Sequence, residues 1–179
     1  FTAIAIVRER ERGNLELRLA AGKILFTPEN ISRAIPYFAG IVADYPESGA
    51  AHDLLGQAYL SNNLLEEAKE EFYLARELEP FSYLIWLNLG SVYFLLGELD
   101  RAEQAYLTAA GLEPKETVAY YNLACVAARR GEIKTSLSYL KKAIDNGFIA
   151  RSVIKNDPDF APLRGNSDFT KLLERTWNI

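Results

Sequence analysis

The chain has 179 residues, and its shares of hydrophobic residues (49%) and charged residues (25%) are ordinary for a folded soluble protein. The net charge of −4 gives no general attraction to nucleic acid or to an anionic membrane surface. Cys125 is the only cysteine and His52 the only histidine, so the sequence excludes an intramolecular disulfide, a thiolate zinc site and a histidine metal cluster.

Residues 1–14 contain an apolar run, FTAIAIV, followed by the charged run RERER. Because the chain starts at Phe1 and contains no methionine, we expect further residues upstream. The apolar run is far too short to span a bilayer, which favours a short first helix. The alternative is the end of a removed membrane anchor or signal segment.

Residues of the same kind recur at an interval of 34 along the middle of the chain. The recurring residues are Pro46, Pro80 and Pro114; Gly56 and Gly90; Tyr59 and Tyr93; Ala34, Ala68 and Ala102; and Phe38, Phe72 and Tyr106. A period of this length is typical of stacked supersecondary units, which usually bind rather than catalyse.

The segment 83–116 shows the repeating unit in full. Its first part, 83–97, is uncharged and shorter than the roughly 18 residues of a membrane span, and its apolar residues have helical spacing. After Gly97 the pattern resumes as a second helix, which ends near Gly111 and Pro114. The unit is therefore a helix, a tight turn, a second helix and a stop.

The sequence predicts four such units followed by a different C-terminal segment. The units are 15–48, in which only the second helix is clear, then 49–82, 83–116 and the less regular 117–150. In 151–179 the period stops, and we expect a helix over ARSVIKN, a loop over NDPDFAPLRGN and a last helix from Asp168 to about Thr176, capped by Asn166 or Ser167. This segment would cover the exposed core of the last unit.

Over about residues 15–150 the chain resembles the tetratricopeptide-repeat family. The third unit has all of the family's hallmark residues, which are Trp86, Leu89, Gly90, Tyr93, Gly97, Ala102, Tyr106, Ala109 and Pro114. The second unit departs from the pattern at His52, where an aromatic is usual, and at Asn63, where glycine is usual. The resemblance implies an all-α, right-handed superhelical solenoid of antiparallel helix pairs, with degenerate end units and a helical C-terminal cap.

The sequence shows no convincing catalytic set, because it lacks a glycine-rich phosphate loop and a GxSxG motif. We interpret the acidic pairs within 66–71 as a solvated helix face and His52 as a packing histidine. Cys125 is expected to line a groove rather than act as a nucleophile, since there is no second histidine to activate it. We therefore predict a protein that is not an enzyme and needs no cofactor or metal.

The first helix of each unit lines the concave surface in this family, so the resemblance places a groove opposite Trp86, Leu89 and Tyr93. That groove is mostly apolar, with a few amides. The predicted ligand-binding residues are Gln57, Leu84, Leu87, Asn88, Ser91, Leu95, Val118, Tyr121, Asn122, Cys125 and Arg129, and the same side of the second unit also carries Asp53, Leu60 and Ser61.

Asn88 and Asn122 occupy the same place in consecutive units, where some members of the family use asparagines to hold a peptide backbone. An amide offers a donor and an acceptor together, so it can pair with an extended peptide of any sequence. Two alternatives stay open: that these asparagines bond only to neighbouring helices, or that the N-terminal segment or a second copy of the chain fills the groove.

Co-chaperone members of the family bind a C-terminal Glu-Glu-Val-Asp tail with a clamp of Lys, Arg and Asn. The positions that would carry the cations here hold Asp53, Leu84, Leu87, Val118 and Tyr121. Arg129 is the one candidate cation left, and it would not offset the desolvation of several carboxylates. We expect no binding of a chaperone tail.

The sequence thus predicts an adaptor, scaffold or assembly factor that binds a protein or peptide and no nucleic acid. The C-terminal tail resembles those of bacterial repeat proteins. The alternative is an accessory or oligomerisation domain of a larger protein, attached to a membrane only through an upstream anchor. The sequence leaves the compartment open, with a cytoplasmic location favoured over a periplasmic or membrane-anchored one.

Overall fold

A computed structural model describes residues 3–148 and 151–175 of the protein, and within them the side chains of 13–148 and 152–174. The described residues form α-helices and two short 3-10 helices, with no strand. The α-helices are α1 (Ala3–Gly22), α2 (Ile31–Asp44), α3 (Gly49–Ser61), α4 (Leu65–Leu78), α5 (Tyr83–Leu95), α6 (Leu99–Leu112), α7 (Thr117–Arg129), α8 (Ile133–Asp145), α9 (Arg151–Asn156) and α10 (Ser167–Arg175). The 3-10 helices are Lys23–Leu25 and Pro158–Leu163.

The tight turns between paired helices share one backbone geometry. Asn63, Gly97 and Gly131 have positive φ angles of 59°, 78° and 74°. The amide that follows each of them bonds back to a carbonyl of the preceding helix, as Leu64 does to Tyr59 at 3.0 Å. This is the Schellman arrangement, in which a left-handed residue lets the helix end satisfy its free carbonyls. Asparagine tolerates that conformation better than other non-glycine residues, so Asn63 can replace the usual glycine.

The chain divides into two compact units, Phe1–Val92 and Tyr93–Ile179. In the first unit, α3 packs against α2 and α4. The buried residues of α2 and α3 form one cluster, consisting of Ala34, Phe38, Ile41, Ala51, Leu54, Leu55 and Ala58. Gly56 lies where α3 meets α4, because a Cβ atom at this position would be 2.7 Å from the Phe72 ring. The absence of a side chain at Gly56 therefore lets the two helices approach closely.

In the second unit, α7 packs against α6, α8 and the 3-10 helix Pro158–Leu163. Ser136 replaces the small alanine of the other repeats, and its buried hydroxyl donates a hydrogen bond to the Ala124 carbonyl at 2.8 Å. The core contains side chains from α7, α8 and the C-terminal segment: Ala124, Cys125, Ala128, Leu140, Ile154, Phe160, Leu163, Phe169 and Leu173. The segment after residue 150 thus completes the core of this unit.

The loop predicted over NDPDFAPLRGN was wrong in part, since Pro158–Leu163 is a 3-10 helix. Asp157 caps this helix by accepting a hydrogen bond from the Asp159 amide at 2.8 Å. Pro158 occupies the first helical turn, where a missing N–H leaves no bond unmade. The last helix has the predicted cap, because Asn166 Oδ1 accepts from the amides of Asp168 and Phe169. Among the described residues, no helix has the length and apolar character needed to cross a bilayer.

Candidate functional site

The predicted ligand-binding residues lie on helices α3, α5 and α7, distributed over the two units. The first unit carries Gln57 on α3 and Leu84, Leu87, Asn88 and Ser91 on α5. The second unit carries Leu95 on α5 and Val118, Tyr121, Asn122, Cys125 and Arg129 on α7.

In the first unit, the Asp53 carboxylate joins two of the predicted amides. Asn88 Nδ2 donates to Asp53 Oδ1 at 2.8 Å, and Gln57 Nε2 donates to Asp53 Oδ2 at 2.7 Å. One of the two amide hydrogens of Asn88 is therefore engaged by its own chain. Ser91 donates to the Leu87 carbonyl at 3.0 Å, a bond within α5.

Burial raises the pKa of Asp53 above its ordinary value of 3.8, because desolvation disfavours the charged carboxylate. Hydrogen bonds from Asn88 and Gln57 oppose this shift, and the negative charge of Glu79 adds to it. Asp53 forms no ion pair with a Lys or Arg among the residues whose side chains are described. Both side chains that donate hydrogen bonds to this poorly solvated carboxylate are therefore neutral amides.

A pocket of about 350 Å³ opens beside Asp53 in the first unit. Its walls come from α1, the segment that follows it, α3 and α5. The lining residues are Leu19, Lys23, Phe26, Ala50, Asp53, Leu54, Gln57, Leu84 and Asn88. Leu84 is 48% exposed at this pocket, which leaves an apolar side chain available for contact.

In the second unit, the chain's own C-terminal segment contacts three of the predicted residues. The Tyr121 hydroxyl donates to the Asp157 carboxylate, and Arg129 Nε donates to Asp159 Oδ1 at 2.7 Å. The Tyr121 ring also packs between Phe148, with ring centroids 4.7 Å apart, and Phe160, with centroids 5.6 Å apart. Residues 157–160 thus cover part of the α7 face on which the sequence places a ligand.

Cys125 is 4% exposed, and its Sγ lies 4.0 Å from Asp157 Oδ2. Burial, and then the charges of Asp157 and Asp159, raise the pKa of this thiol above its ordinary value. The sulfur and one oxygen of each carboxylate lie within 4.8 Å of one another, a spacing that could hold a metal ion. These carboxylates, however, already accept from Tyr121, Arg129 and the Asp159 amide, and the thiol would have to ionise to become a ligand. The group is therefore explained as a hydrogen-bond network that holds the cap.

The remaining predicted residues of the second unit are less enclosed. Leu95 and Val118 are exposed apolar side chains, and Asn122 is half-buried on α7. Arg129 lies with its guanidinium carbon 3.7 Å from the centre of the Phe94 ring. Its cation is thus already shared between Asp159 and an aromatic face.

His52 is 5% exposed, and both of its ring nitrogens are engaged. Nδ1 lies 2.6 Å from Glu71 Oε2, and Nε2 lies 3.0 Å from the Pro46 carbonyl oxygen. The imidazole therefore links α4 to the turn before α3. Neither nitrogen is left to act on a substrate.

The repeat geometry agrees with the sequence comparisons. A tetratricopeptide-repeat profile matches residues 19–82, and a second profile with the same description matches 83–116 and 118–146. The chain belongs to the tetratricopeptide-repeat family. The predicted all-α repeat fold is thereby confirmed, and members of this family are typically non-catalytic scaffolds for protein interaction. The comparison with curated protein sequences gave no match.

Several solved structures share this fold. MamA is 25% identical, with a TM-score of 0.68, and the match covers 80% of this chain and 84% of MamA. YrrB, described as a TPR protein with an unusual peptide-binding site, is 16% identical, with a TM-score of 0.68 and coverage of 98% and 91%. PilF of Pseudomonas aeruginosa is 18% identical, with a TM-score of 0.73 and coverage of 90% and 76%.

Sequence reasoning placed Asp53 on the groove side but did not include it among the site residues. Two signals could have identified it: Gln57 follows it by one helical turn, and Asn88 lies at nearly the same place one repeat later. The cap residues Asp157 and Asp159 were missed as well. Their signal is the Asp-Pro pair, which is typical of a capped helical turn.

Proposed function

We propose that the protein is a non-enzymatic adaptor or assembly factor that binds a segment of a partner protein on the first helices of its repeats. Membership of the tetratricopeptide-repeat family supports this proposal. So does YrrB, a structural neighbour that is described as having a peptide-binding site. The engaged nitrogens of His52 and the buried thiol of Cys125 give no support to a catalytic role.

The observation that carries the proposal is the exposed apolar side chain of Leu84 next to the pocket that contains Asp53. An extended segment could bury Leu84 and donate a hydrogen bond from a backbone amide to the side-chain oxygen of Asn88. Burial of a leucine side chain contributes about 1.5–3 kcal/mol. This favours the α3 and α5 surface of the first unit as the principal contact.

The test is affinity capture from the source cell with wild type, Leu84→Asp and Leu107→Asp in parallel. Leu107 is 39% exposed on α6, the second helix of its repeat, so Leu107→Asp adds the same charge on a different kind of face. We expect a partner that binds wild type and Leu107→Asp but not Leu84→Asp. Titration calorimetry with the purified partner should reproduce this difference.

Equal capture by the two aspartate variants would contradict the proposal that this face binds the partner. Light scattering on the same samples tests the alternative that a second copy covers Leu84. In that case wild type would have twice the chain mass of 20.1 kDa, and Leu84→Asp would have the single-chain mass.

A further inference from the structure

We propose that the pocket between α1, α3 and α5 receives a lysine or arginine side chain of the partner segment, and that the Asp53 carboxylate pairs with its charge. This inference rests on the proposed function, because it names the chemistry of the bound segment. The composition of the pocket favours a basic side chain. This preference is the opposite of that of the co-chaperone clamp, which binds acidic tails.

The Asp53 carboxylate can accept further hydrogen bonds from a positively charged group. Both oxygens of Asp53 already accept a hydrogen bond from a neutral amide, at 2.8 Å from Asn88 and 2.7 Å from Gln57. These bonds fix the carboxylate in place, but neither donor carries a positive charge that would compensate the negative one. A carboxylate can accept up to about four hydrogen bonds, so acceptor capacity remains for an incoming cation. The charge-assisted bonds of an ammonium or guanidinium group are about twice as strong as neutral ones.

The shape and lining of the pocket favour a long side chain with an apolar stem. Its volume of about 350 Å³ is sufficient for one long side chain. The aliphatic walls include Leu19, Leu54 and Leu84, which can pack against the methylene groups of a lysine or arginine. A pocket with apolar walls and one carboxylate matches a side chain with an apolar stem and a cationic end.

Among the residues whose side chains the structure describes, Lys23 is the one cation that lines this pocket. It is exposed, and its charge has only the smallest of the effects that shift the pKa of Asp53. An incoming cation would be repelled by it. Replacing Lys23 with a neutral residue should therefore strengthen binding of a basic side chain.

The probe is a blocked heptapeptide, acetyl-Gly-Ser-Ala-Xaa-Ala-Ser-Gly-amide, in which Xaa is lysine, arginine, norleucine or glutamate. Norleucine keeps the lysine stem without the charge. Binding is followed by the side-chain amide NMR signals of Asn88 and Gln57 in the full chain. We expect saturable shifts with lysine and arginine, and affinity at least tenfold lower with norleucine and glutamate.

Two variants test the roles of Asp53 and Lys23, and a third serves as a charge-matched control. Asp53→Asn should reduce the affinity for the lysine peptide to that for norleucine, whereas Lys23→Gln should raise it. Glu113→Gln makes the same charge change as Asp53→Asn at an exposed residue beyond α6 and should leave binding unchanged. Equal affinity for lysine and norleucine on wild type, or no saturable shift with any peptide, would overturn the proposal even if Asp53→Asn fails to fold.

The result is separable from the test of the proposed function. A partner lost by Leu84→Asp but fully retained by a folded Asp53→Asn would leave the binding face in place and refute the basic side chain. Retention by both variants would refute the binding face itself.

Discussion

Gly56 and Gly40 show how differently two helical glycines contribute to the same unit. A Cβ atom at Gly56 would lie 2.7 Å from the Phe72 ring, and Phe72 is fully buried, whereas nothing lies within 4 Å of a Cβ at Gly40. We predict that Gly56→Ala lowers the free energy of unfolding by about 1–3 kcal/mol, as overpacking does. Gly40→Ala should raise it by up to about 1 kcal/mol through helix propensity.

Urea unfolding followed by circular dichroism measures both glycine variants under the same conditions. A Gly56→Ala variant as stable as Gly40→Ala would show that the α3–α4 contact adjusts without strain. The predicted structural role of Gly56 would then be wrong.

The raised pKa of Asp53 makes a prediction about pH. Since its pKa is higher in the folded state than its ordinary value of 3.8, the folded state binds the proton more tightly. The stabilisation that Asp53 gives to the folded state is therefore largest below about pH 3.8. It is lost as the pH rises through the raised pKa of the folded protein. We predict that wild type becomes less stable relative to Asp53→Asn over that rise.

The comparison requires unfolding free energies of wild type and Asp53→Asn at a series of pH values from about 3.5 to 7. Most other titrating groups cancel in the difference between the two proteins, although Glu79 and Lys23 interact with Asp53 directly. If the difference in unfolding free energy does not change with pH, folding does not raise the pKa of Asp53.

At the scale of elements, the C-terminal segment forms a cap over α7, because the 3-10 helix Pro158–Leu163 packs against that helix. Phe160 is fully buried in the same apolar cluster as Cys125, so Phe160→Ala should lower the free energy of unfolding by about 3–5 kcal/mol. Opening of the cap would expose the Cys125 thiol. We predict that its alkylation by iodoacetamide is slow in wild type and at least tenfold faster in Phe160→Ala.

Cys125 is the only cysteine, so the alkylation rate reports on one site. Leu107→Ala removes an exposed side chain from the same unit and should leave the rate unchanged. Fast alkylation of wild type would mean that the cap is frequently open and that the α7 face is accessible to a partner.

The helices and turns of the repeats could be predicted because each repeat contains the same local sequence signals. Apolar residues at helical spacing define α5 and α6, and the positive φ at Asn63 and Gly131 falls where the repeat needs a left-handed residue. The 3-10 helix Pro158–Leu163 lies after the period stops. The sequence signals for this helix are the N-cap residue Asp157 and Pro158, and both residues are also common in loops.

The site could be predicted only in part, since an amide suits two kinds of partner equally well. Asn88 was placed on the groove side, but its bond to Asp53 joins residues 35 apart, and no local pattern fixes such a contact. The bond between Tyr121 and Asp157 joins residues 36 apart and has one end beyond the repeats. Periodicity determines which helix face a residue occupies, not which long-range partner it finds there.

At the scale of the whole molecule, the contacts of each unit are made mainly between successive helices. In the first unit α3 contacts α2 and α4, and in the second unit α7 contacts α6 and α8. Repeat proteins with such contacts have stabilities that approximate a sum of local terms and nearest-neighbour terms. A partner that contacts one repeat would therefore be expected to stabilise that repeat most.

The same architecture predicts how a local defect spreads. In Gly56→Ala the defect lies in the first unit, whereas the Cys125 thiol reports on the second. We predict that the urea midpoint measured by circular dichroism falls more than the midpoint measured by Cys125 alkylation. In wild type the two midpoints should lie closer together, and Phe160→Ala should shift the alkylation midpoint more than the dichroism midpoint.

If Gly56→Ala instead lowers both midpoints equally, with an unchanged denaturant slope, the chain unfolds as one cooperative body. Partner binding at Asp53 would then stabilise the C-terminal cap as strongly as the helices it touches.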